Sequence, residues 1–303
     1  AGFWKYLFGK RFVFDHHDIN PELFEAKFNK RGFFHKLLLK LERWTFKTAD
    51  ASIATNETFK EIAIERGGMS PERVFIVRSI PDVSRFKRVA PNSELRKGRK
   101  HVVGYVGIMG AQDGVDLLVE AMHQLVNVER RDDVGCVIVG SGTELAGLQK
   151  MTAERGLGDH VTFTGFLSGE PLLAALSSFD LGVIPDPKNT YNDKISMNKA
   201  FEYMTLGIPF VQFDLMEGRK IAGDAALYAA ENSPLDLAAK IARLIDEPEL
   251  SRQLAGEGQI RAKALLKWDE EAKRLLAAYE TALRRQDRVA SSRHPASLPV
   301  SSR

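Results

Sequence analysis

The sequence is poor in the features that mark several other protein classes. It has one cysteine, Cys136, in 303 residues. No internal disulfide and no multi-cysteine metal site of one chain can form, and this usage fits a reducing compartment. No run of about 18 apolar residues occurs, so hydropathy marks no transmembrane helix. The opening AGFWKYLFGKRF is too short and too interrupted to read as a signal peptide. Neither sign of charge dominates: 43 basic against 40 acidic residues leave a net charge of +3. Lys and Arg are spread along the chain rather than gathered in the stripe of a nucleic-acid reader. A P-loop, a Gly-x-Ser-x-Gly elbow and a His-Glu-x-x-His pair are also missing, which removes the main support for NTPase and hydrolase readings. These absences point to a cytoplasmic globular protein with no nucleic-acid partner, no metal and no cofactor.

What is present is a repeated alternation of short apolar runs with longer segments of helical period, the pattern of parallel sheets covered by helices. In the first third, RFVFDHHD reads as a strand with its exit loop, residues 34–48 as a helix, ASIAT (51–55) as a strand, 58–66 as a helix and RVFIVRS (73–79) as a strand. Residues 80–100, with two prolines and no apolar period, read as a domain linker. A second series follows, with strands at 101–107, 135–140, 161–165, 181–185 and 209–214. Leu117, Leu118, Ala121, Met122, Leu125 and Val126 mark one face of a covering helix. From Pro234 to about Arg285 the chain reads as helical, broken at Pro248, and beyond Asp287 no core-forming pattern remains. The expected division is 1–90, 91–286 and a disordered tail at 287–303. The first domain has only about three strands where a nucleotide-type sheet has five to seven, so it is expected to be the incomplete member of the pair.

The richest stretch is DPKNTYNDKISMNKAFEYMTLGIPFVQFD, residues 186–214. A strand ends, a polar loop follows, a helix starts near Met197 or Asn198, and Gly207 and Pro209 end it. Loops at the carboxyl ends of parallel strands are where open α/β sheets bind ligands. Free amides at Ser196, Met197 and Asn198, with Lys194 and Lys199 beside them, suit a phosphate or diphosphate.

The segment NKAFEYMTLGIP (198–209) resembles the donor-binding motif of glycosyltransferase family 4, whose members are retaining nucleotide-sugar transferases of the GT-B fold. On that resemblance the chain is α/β, with two Rossmann-like domains. Glu202 matches the family's second motif glutamate, which accepts hydrogen bonds from the donor ribose. Eight residues earlier, where the family has its first glutamate, stands Lys194. GYVGIMGAQDGVDLLVEA (104–121), including Gly107, resembles the first strand, loop and helix of the donor domain. There Ile108 and Asp113 take the places of the Arg and Lys that grip the diphosphate. The diphosphate charge is therefore assigned to Lys194, Lys199, Arg219 and the helix amides, with Arg219 equally readable as a surface arginine. VIVGSGTELAGLQ (137–149) resembles the family's strand and Gly-x-Gly-x-Glu. VTFTGFLS (161–168) resembles the strand whose exit, at Gly165 and Phe166, abuts the nucleobase. FDLMEGRKIAGDAALYA (213–229) matches the closing loop, with Glu217 directed to the sugar.

In the first half, FDHHDINPELFEAKF resembles the His-Asp element of the family's first domain. Neighbouring side chains on a strand face opposite ways, so one histidine enters a cleft, and the resemblance selects His17 with Asp18. A structural histidine is the even alternative. No Asp-x-Asp triplet occurs, in keeping with metal-independent GT-B chemistry. The resemblance thus implies transfer of a sugar, with retention, from a nucleotide diphosphate sugar to a saccharide or lipid-linked hydroxyl in bacterial polysaccharide or glycolipid synthesis. The lost first glutamate and the lost Arg and Lys leave a non-catalytic donor binder or scaffold as the alternative, and a GT-B epimerase as a third. Residues 24–47 are basic and aromatic. They read either as a peripheral contact with anionic lipid at the inner membrane face or as a core-facing helix with a solvated basic side.

Overall fold

A computed structural model describes residues 2–230 and 232–291, with side chains to Arg284. The chain forms two compact units. One holds the chain as far as Pro21, Lys30–Arg78 and the chain from Trp268; the other holds Glu22–Asn29 and Ser79–Lys267.

The first unit is built on a three-stranded parallel sheet ordered β1-β2-β3, with β1 at Val13–His16, β2 at Ala51–Ala54 and β3 at Val74–Ile76. Its helices are α1 (Gly2–Phe8), the start of α2 (Asn20–Phe28), α3 (Phe33–Thr48) and α4 (Glu57–Glu61). Asn56 opens α4 by accepting a hydrogen bond from the Phe59 amide at 2.9 Å, and a π-turn at Ile62–Arg66 extends it. The side-chain alternation expected for FDHHD is observed. His16 is buried among the rings of Phe14, Phe46 and Phe59 at 4.8–5.2 Å, whereas His17 is exposed.

The second unit is a six-stranded parallel sheet. Its strands are β4 (His101–Val106), β5 (Val134–Val139), β6 (Val161–Gly165), β7 (Leu181–Ile184), β8 (Phe210–Phe213) and β9 (Ala226–Ala229). The order β6-β5-β4-β7-β8-β9 reverses direction between β4 and β7, and this switch point opens a crevice at the carboxyl ends of those two strands. Strands buried on both faces need near-continuous apolar runs, and VGCVIV of β5 is buried at every position. One face, with Tyr105, Ile138 and Val211, packs on α5 (Val115–His123), α6 (Leu145–Glu154) and α10 (Pro234–Asp246). The other, with Val137, Ile184 and Phe210, packs on α7 (Gly169–Ser177), α8 (Asn198–Leu206) and α11 (Pro248–Leu265). A short α9 (Met216–Ala222) precedes β9. Gly104 on β4 makes room for a ring: a Cβ there would lie 1.9 Å from Cδ2 of the buried Phe179.

Three features differ from the sequence reading. The stretch 80–100, read as a linker, is irregular but bound to the second unit. Arg88 donates to the carbonyls of Leu206 and Gly207 at 2.7 and 3.2 Å, and Arg96 grips Asp180 at 2.8–2.9 Å. Strand β9 lies where a closing loop was expected. The terminal helices break a second time, at Leu266 and Lys267, and the final helix α12 (Trp268–Ser291) joins the first unit, not the second. Ala278 and Leu275 of α12 pack on Ile53, Phe75 and Val77. Of the tail expected at 287–303, α12 takes the first residues, and 292–303 lie outside the described residues.

Candidate active site

At the crevice beside β4, the loops after β4, β5 and β7 are held together through bare backbone. Gly107 donates to the Val139 carbonyl and Met109 to that of Ser141, each at 3.0 Å. At Gly140, φ is +137° and a Cβ would lie 1.8 Å from the Gly107 oxygen, so only glycine allows this approach. The buried Asn192 donates to the Gln112 and Pro187 carbonyls, both at 2.8 Å, and ties the loop after β7 to the loop after β4. Asp193 accepts from the Met216 amide at 2.7 Å and fixes the start of α9.

Helix α8 starts in this frame as the sequence predicts, at Asn198. Its N-cap is Met197, with extended backbone and no side-chain cap. The amides of Asn198 and Lys199 at its start keep their hydrogen-bonding capacity, while that of Ala200 donates to the Met197 carbonyl at 3.0 Å, and the helix dipole adds partial positive charge there. One turn on, Glu202 is half-buried and makes no hydrogen bond or ion pair among the described residues. Burial pushes its carboxyl above the ordinary value, opposed by the Lys199 ammonium. Tyr203 locks α8 over β4 and β7 by donating to the Gly104 and Val183 carbonyls at 3.3 and 3.4 Å.

The three side chains expected to meet a diphosphate are all engaged. Lys199 forms a buried ion pair with Asp186 at 2.7 Å, and its ammonium lies 5.0 Å from the centre of the Tyr105 ring. Burial lowers the lysine's proton affinity, but Asp186 outweighs it and the net shift is upward. Lys194 lies 3.2 Å from Glu22 of α2. Arg219 grips Asp214 with two nitrogens and covers the Tyr228 ring at 4.0 Å. Their charges are thus met by carboxylates, and what stays open to an anion is the amide end of α8. Asp113, in the place of a family lysine, accepts from the Gly110 amide at 2.8 Å. Burial, reinforced by Asp186, raises its carboxyl above the ordinary range.

The remaining expected residues are distributed as follows. Gly107 opens the loop after β4. Gly165, with φ of +74°, ends β6, and Phe166 beside it is exposed. Ser196 precedes α8 and donates to Glu217 at 3.4 Å; Glu217 is buried in α9 with Lys220 at 3.2 Å. These residues share the carboxyl edge of the second sheet. His17 and Asp18 lie in the first unit after β1, where the His17 Nε2 is 3.0 Å from Asp15, both side chains being exposed. Sequence reasoning missed Asp186, Tyr105 and Asn192 as parts of the site, and marked Asp113 only as a departure from the family's lysine. Asp186 had a visible signal, an acid directly after the apolar run of β7. Among the described residues no group of three or more His, Cys, Asp or Glu could hold a metal ion.

Residues 100–247 match the family model described as glycosyl transferases group 1. The chain is 32% identical over 156 residues to an alpha-D-kanosaminyltransferase of Streptomyces kanamyceticus, covering 51% of this chain and 39% of that protein. It is 27% identical over 227 residues to a 2-deoxystreptamine glucosyltransferase of the same organism, covering 71% and 56%. The chain thus spans about half the length of the curated relatives it matches. Among solved structures, HepE of Anabaena in complex with UDP-glucose is similar with a TM-score of 0.73 at 18% identity, covering 94% of this chain and 75% of that one. Sucrose-phosphate synthase of Thermosynechococcus elongatus gives 0.70 at 22%, covering 92% and 68%. The fold, on these grounds, is the GT-B glycosyltransferase fold, and its second unit relates the chain to the group 1 transferases.

Proposed function

We propose that the chain works as a retaining glycosyltransferase. It moves a sugar from a nucleoside diphosphate sugar to a hydroxyl of a saccharide or lipid-linked acceptor, in bacterial polysaccharide or glycolipid synthesis on the cytoplasmic side of the membrane. The observation that carries the reading is the pairing, on one helix, of an uncapped amide end with an unbonded, half-buried carboxylate, Glu202, one turn further in. An anion takes the amide end and a pair of hydroxyls takes the carboxylate, which is the bipolar chemistry of a ribose diphosphate. HepE, similar in fold, was solved with UDP-glucose, so a uridine diphosphate sugar is the first donor to test.

In this reading the leaving diphosphate is stabilised chiefly by backbone amides at the start of α8, preorganised dipoles that cost no rearrangement during the reaction. The Lys199–Asp186 pair fixes the first turn of α8 and thereby the direction of those amides. His17 and Asp18 are proposed for the sugar and acceptor side, and Glu217 for the sugar.

The test is calorimetric titration of UDP-glucose, with GDP-mannose as comparison, into the chain and into Glu202→Ala. Two hydrogen bonds to a charged acceptor, at about 1.5–3 kcal/mol each, correspond to roughly a hundredfold or greater loss of affinity. Since Glu202 makes no hydrogen bond or ion pair among the described residues, and its burial opposes the charged form, the variant should melt no lower than the parent. Affinity within about threefold of the parent would overturn the assignment. Anomeric NMR of the product then tests retention. A second reading, a donor binder without turnover, is favoured by the neutralised cations; tight binding with neither hydrolysis nor transfer would select it.

A further inference from the structure

We infer that the second unit carries a second ligand site, separate from the amide end of α8, that takes a small phosphate monoester with a ring-bearing body. The inference does not rest on the transfer reading. The site is a hollow of about 650 Å³, a size typical of small-molecule sites. All of its lining belongs to the second unit, which holds the larger sheet.

Helix α8 runs from one place to the other. It starts at the carboxyl edge of the sheet, and its last residues lie about 12 Å further along its axis. There the chain turns through Gly207 into β8, so the hollow sits at the opposite, amino edge. Its walls are the last turn of α8, the last turns of α11 and a turn at residues 82–88. Asp82 builds that turn: its carbonyl accepts from the Arg85 and Phe86 amides at 3.0 and 2.9 Å, and its carboxylate from the Ser84 amide and hydroxyl at 3.0 and 2.6 Å. The Arg88 bonds to the end of α8 then hold the turn in place, so the hollow is formed without a ligand.

Charge selects the occupant. Lys87, Arg88 and Lys263 line the hollow, and no acidic side chain does. None of the three has a carboxylate partner among the described residues, whereas Lys194, Lys199 and Arg219 at the other edge are each paired. The carboxyl ends of α8 and α11 offset about half a charge each, which leaves roughly two positive charges unmatched. A phosphate monoester at neutral pH carries close to that charge with the opposite sign.

The rest of the wall asks for more than a bare anion. The Thr205 hydroxyl is buried and has no hydrogen-bond partner among the described residues, and such a group gains free energy when a ligand supplies one. Phe86 and Leu266 offer an apolar face against which a ring packs, and the Gln259 amide can both donate to and accept from the ring's polar edge. Inorganic phosphate would leave that face uncovered, and a neutral sugar would leave the cations unmatched. A nucleoside monophosphate and a sugar phosphate share the required chemistry.

The experiment is calorimetric titration of the full chain with AMP and with glucose 6-phosphate, beside inorganic phosphate and glucose. At least one ester should bind, more tightly than either control, and the tighter of the two identifies the source as nucleotide or sugar phosphate. Lys87→Gln with Lys263→Gln should weaken it about tenfold per lysine, some 100-fold together. Thr205→Val should weaken it while leaving the melting temperature unchanged, since no hydrogen bond within the protein is lost. Binding should persist in Glu202→Ala and in the presence of UDP-glucose, which separates this site from the donor site whether or not UDP-glucose itself binds. Circular dichroism confirms that the variants are folded. Failure of both esters to bind overturns the inference, as does binding that the lysine variant leaves unchanged. Binding lost in Glu202→Ala or displaced by UDP-glucose overturns it too and assigns the ester to the donor site, and inorganic phosphate binding as tightly as the esters would refute the ring-bearing ligand.

Discussion

Replacing Lys199 by Met tests whether this lysine is a structural counter-ion or a free phosphate ligand. In the structure its ammonium lies 2.7 Å from Asp186, with side-chain exposures of 11% and 2%. The variant leaves Asp186 charged, buried and within the electrostatic reach of the Asp113 carboxylate. Removing one partner of a buried pair costs about 3–5 kcal/mol. For a folding unit of this size, each kcal/mol lowers the melting temperature by about 2–4 °C, so the expected drop is roughly 6–20 °C. Adding Asp186→Leu should recover most of it, because an apolar replacement of the whole pair is close to neutral. The sign of the pH dependence follows from the raised proton affinity of folded Lys199: the pair's contribution is full below the lysine's ordinary range and fades as pH rises through its folded one. The deficit of the variant is therefore full at neutral pH and shrinks at strongly alkaline pH. Scanning calorimetry of the full chain at several pH values reads all three effects. A Lys199→Met transition within about 2 °C of the parent at neutral pH, coupled to loss of donor affinity, would refute the counter-ion role.

Two further outcomes follow from burial. Gly104→Ala puts a Cβ 1.9 Å from the Phe179 ring; urea unfolding should show a loss of about 1–3 kcal/mol or more, partly recovered by Phe179→Leu, and an unchanged midpoint would contradict the packing. Asp113 has a raised proton affinity in the folded state, so its ionisation opposes folding as pH rises through that range. Asp113→Asn can keep the Gly110 hydrogen bond, and should therefore raise the melting temperature more at pH 7.5 than at pH 4; an equal shift at both would contradict it.

How much of this was legible in the sequence depended on whether the signal was local. Strands β4 to β8 and the start of α8 are announced by apolar runs and by the Gly207 stop, which need no partner to be read. Strand β9 is only four residues, ALYA, too short to show a period. The second break at Leu266 and Lys267 has neither Gly nor Pro, and amphipathicity shows that α12 covers a sheet but not which one. At the site, Glu202 was legible because its spacing in the helix is fixed. The fate of Lys199 was not, because its partner Asp186 lies thirteen residues earlier across a loop, and only the fold brings the two together. Lys194 is a similar case, its partner Glu22 being 172 residues away. For residues 24–47 the sequence offered two readings; Glu42 and Phe46 of this stretch are buried, whereas Phe33 and Trp44 are exposed.

The return of α12 to the first unit bears on how the protein is made. On the ribosome, β1, β2 and β3 emerge early, but the helix whose Leu275 and Ala278 cover Ile53 and Val77 emerges only after the second sheet is complete. The second unit can close as soon as Lys267 has left the exit tunnel, while the first must wait for its last layer with apolar surface uncovered. A chain stopped before Trp268 therefore leaves Ile53, Phe75 and Val77 without the α12 side chains that pack on them.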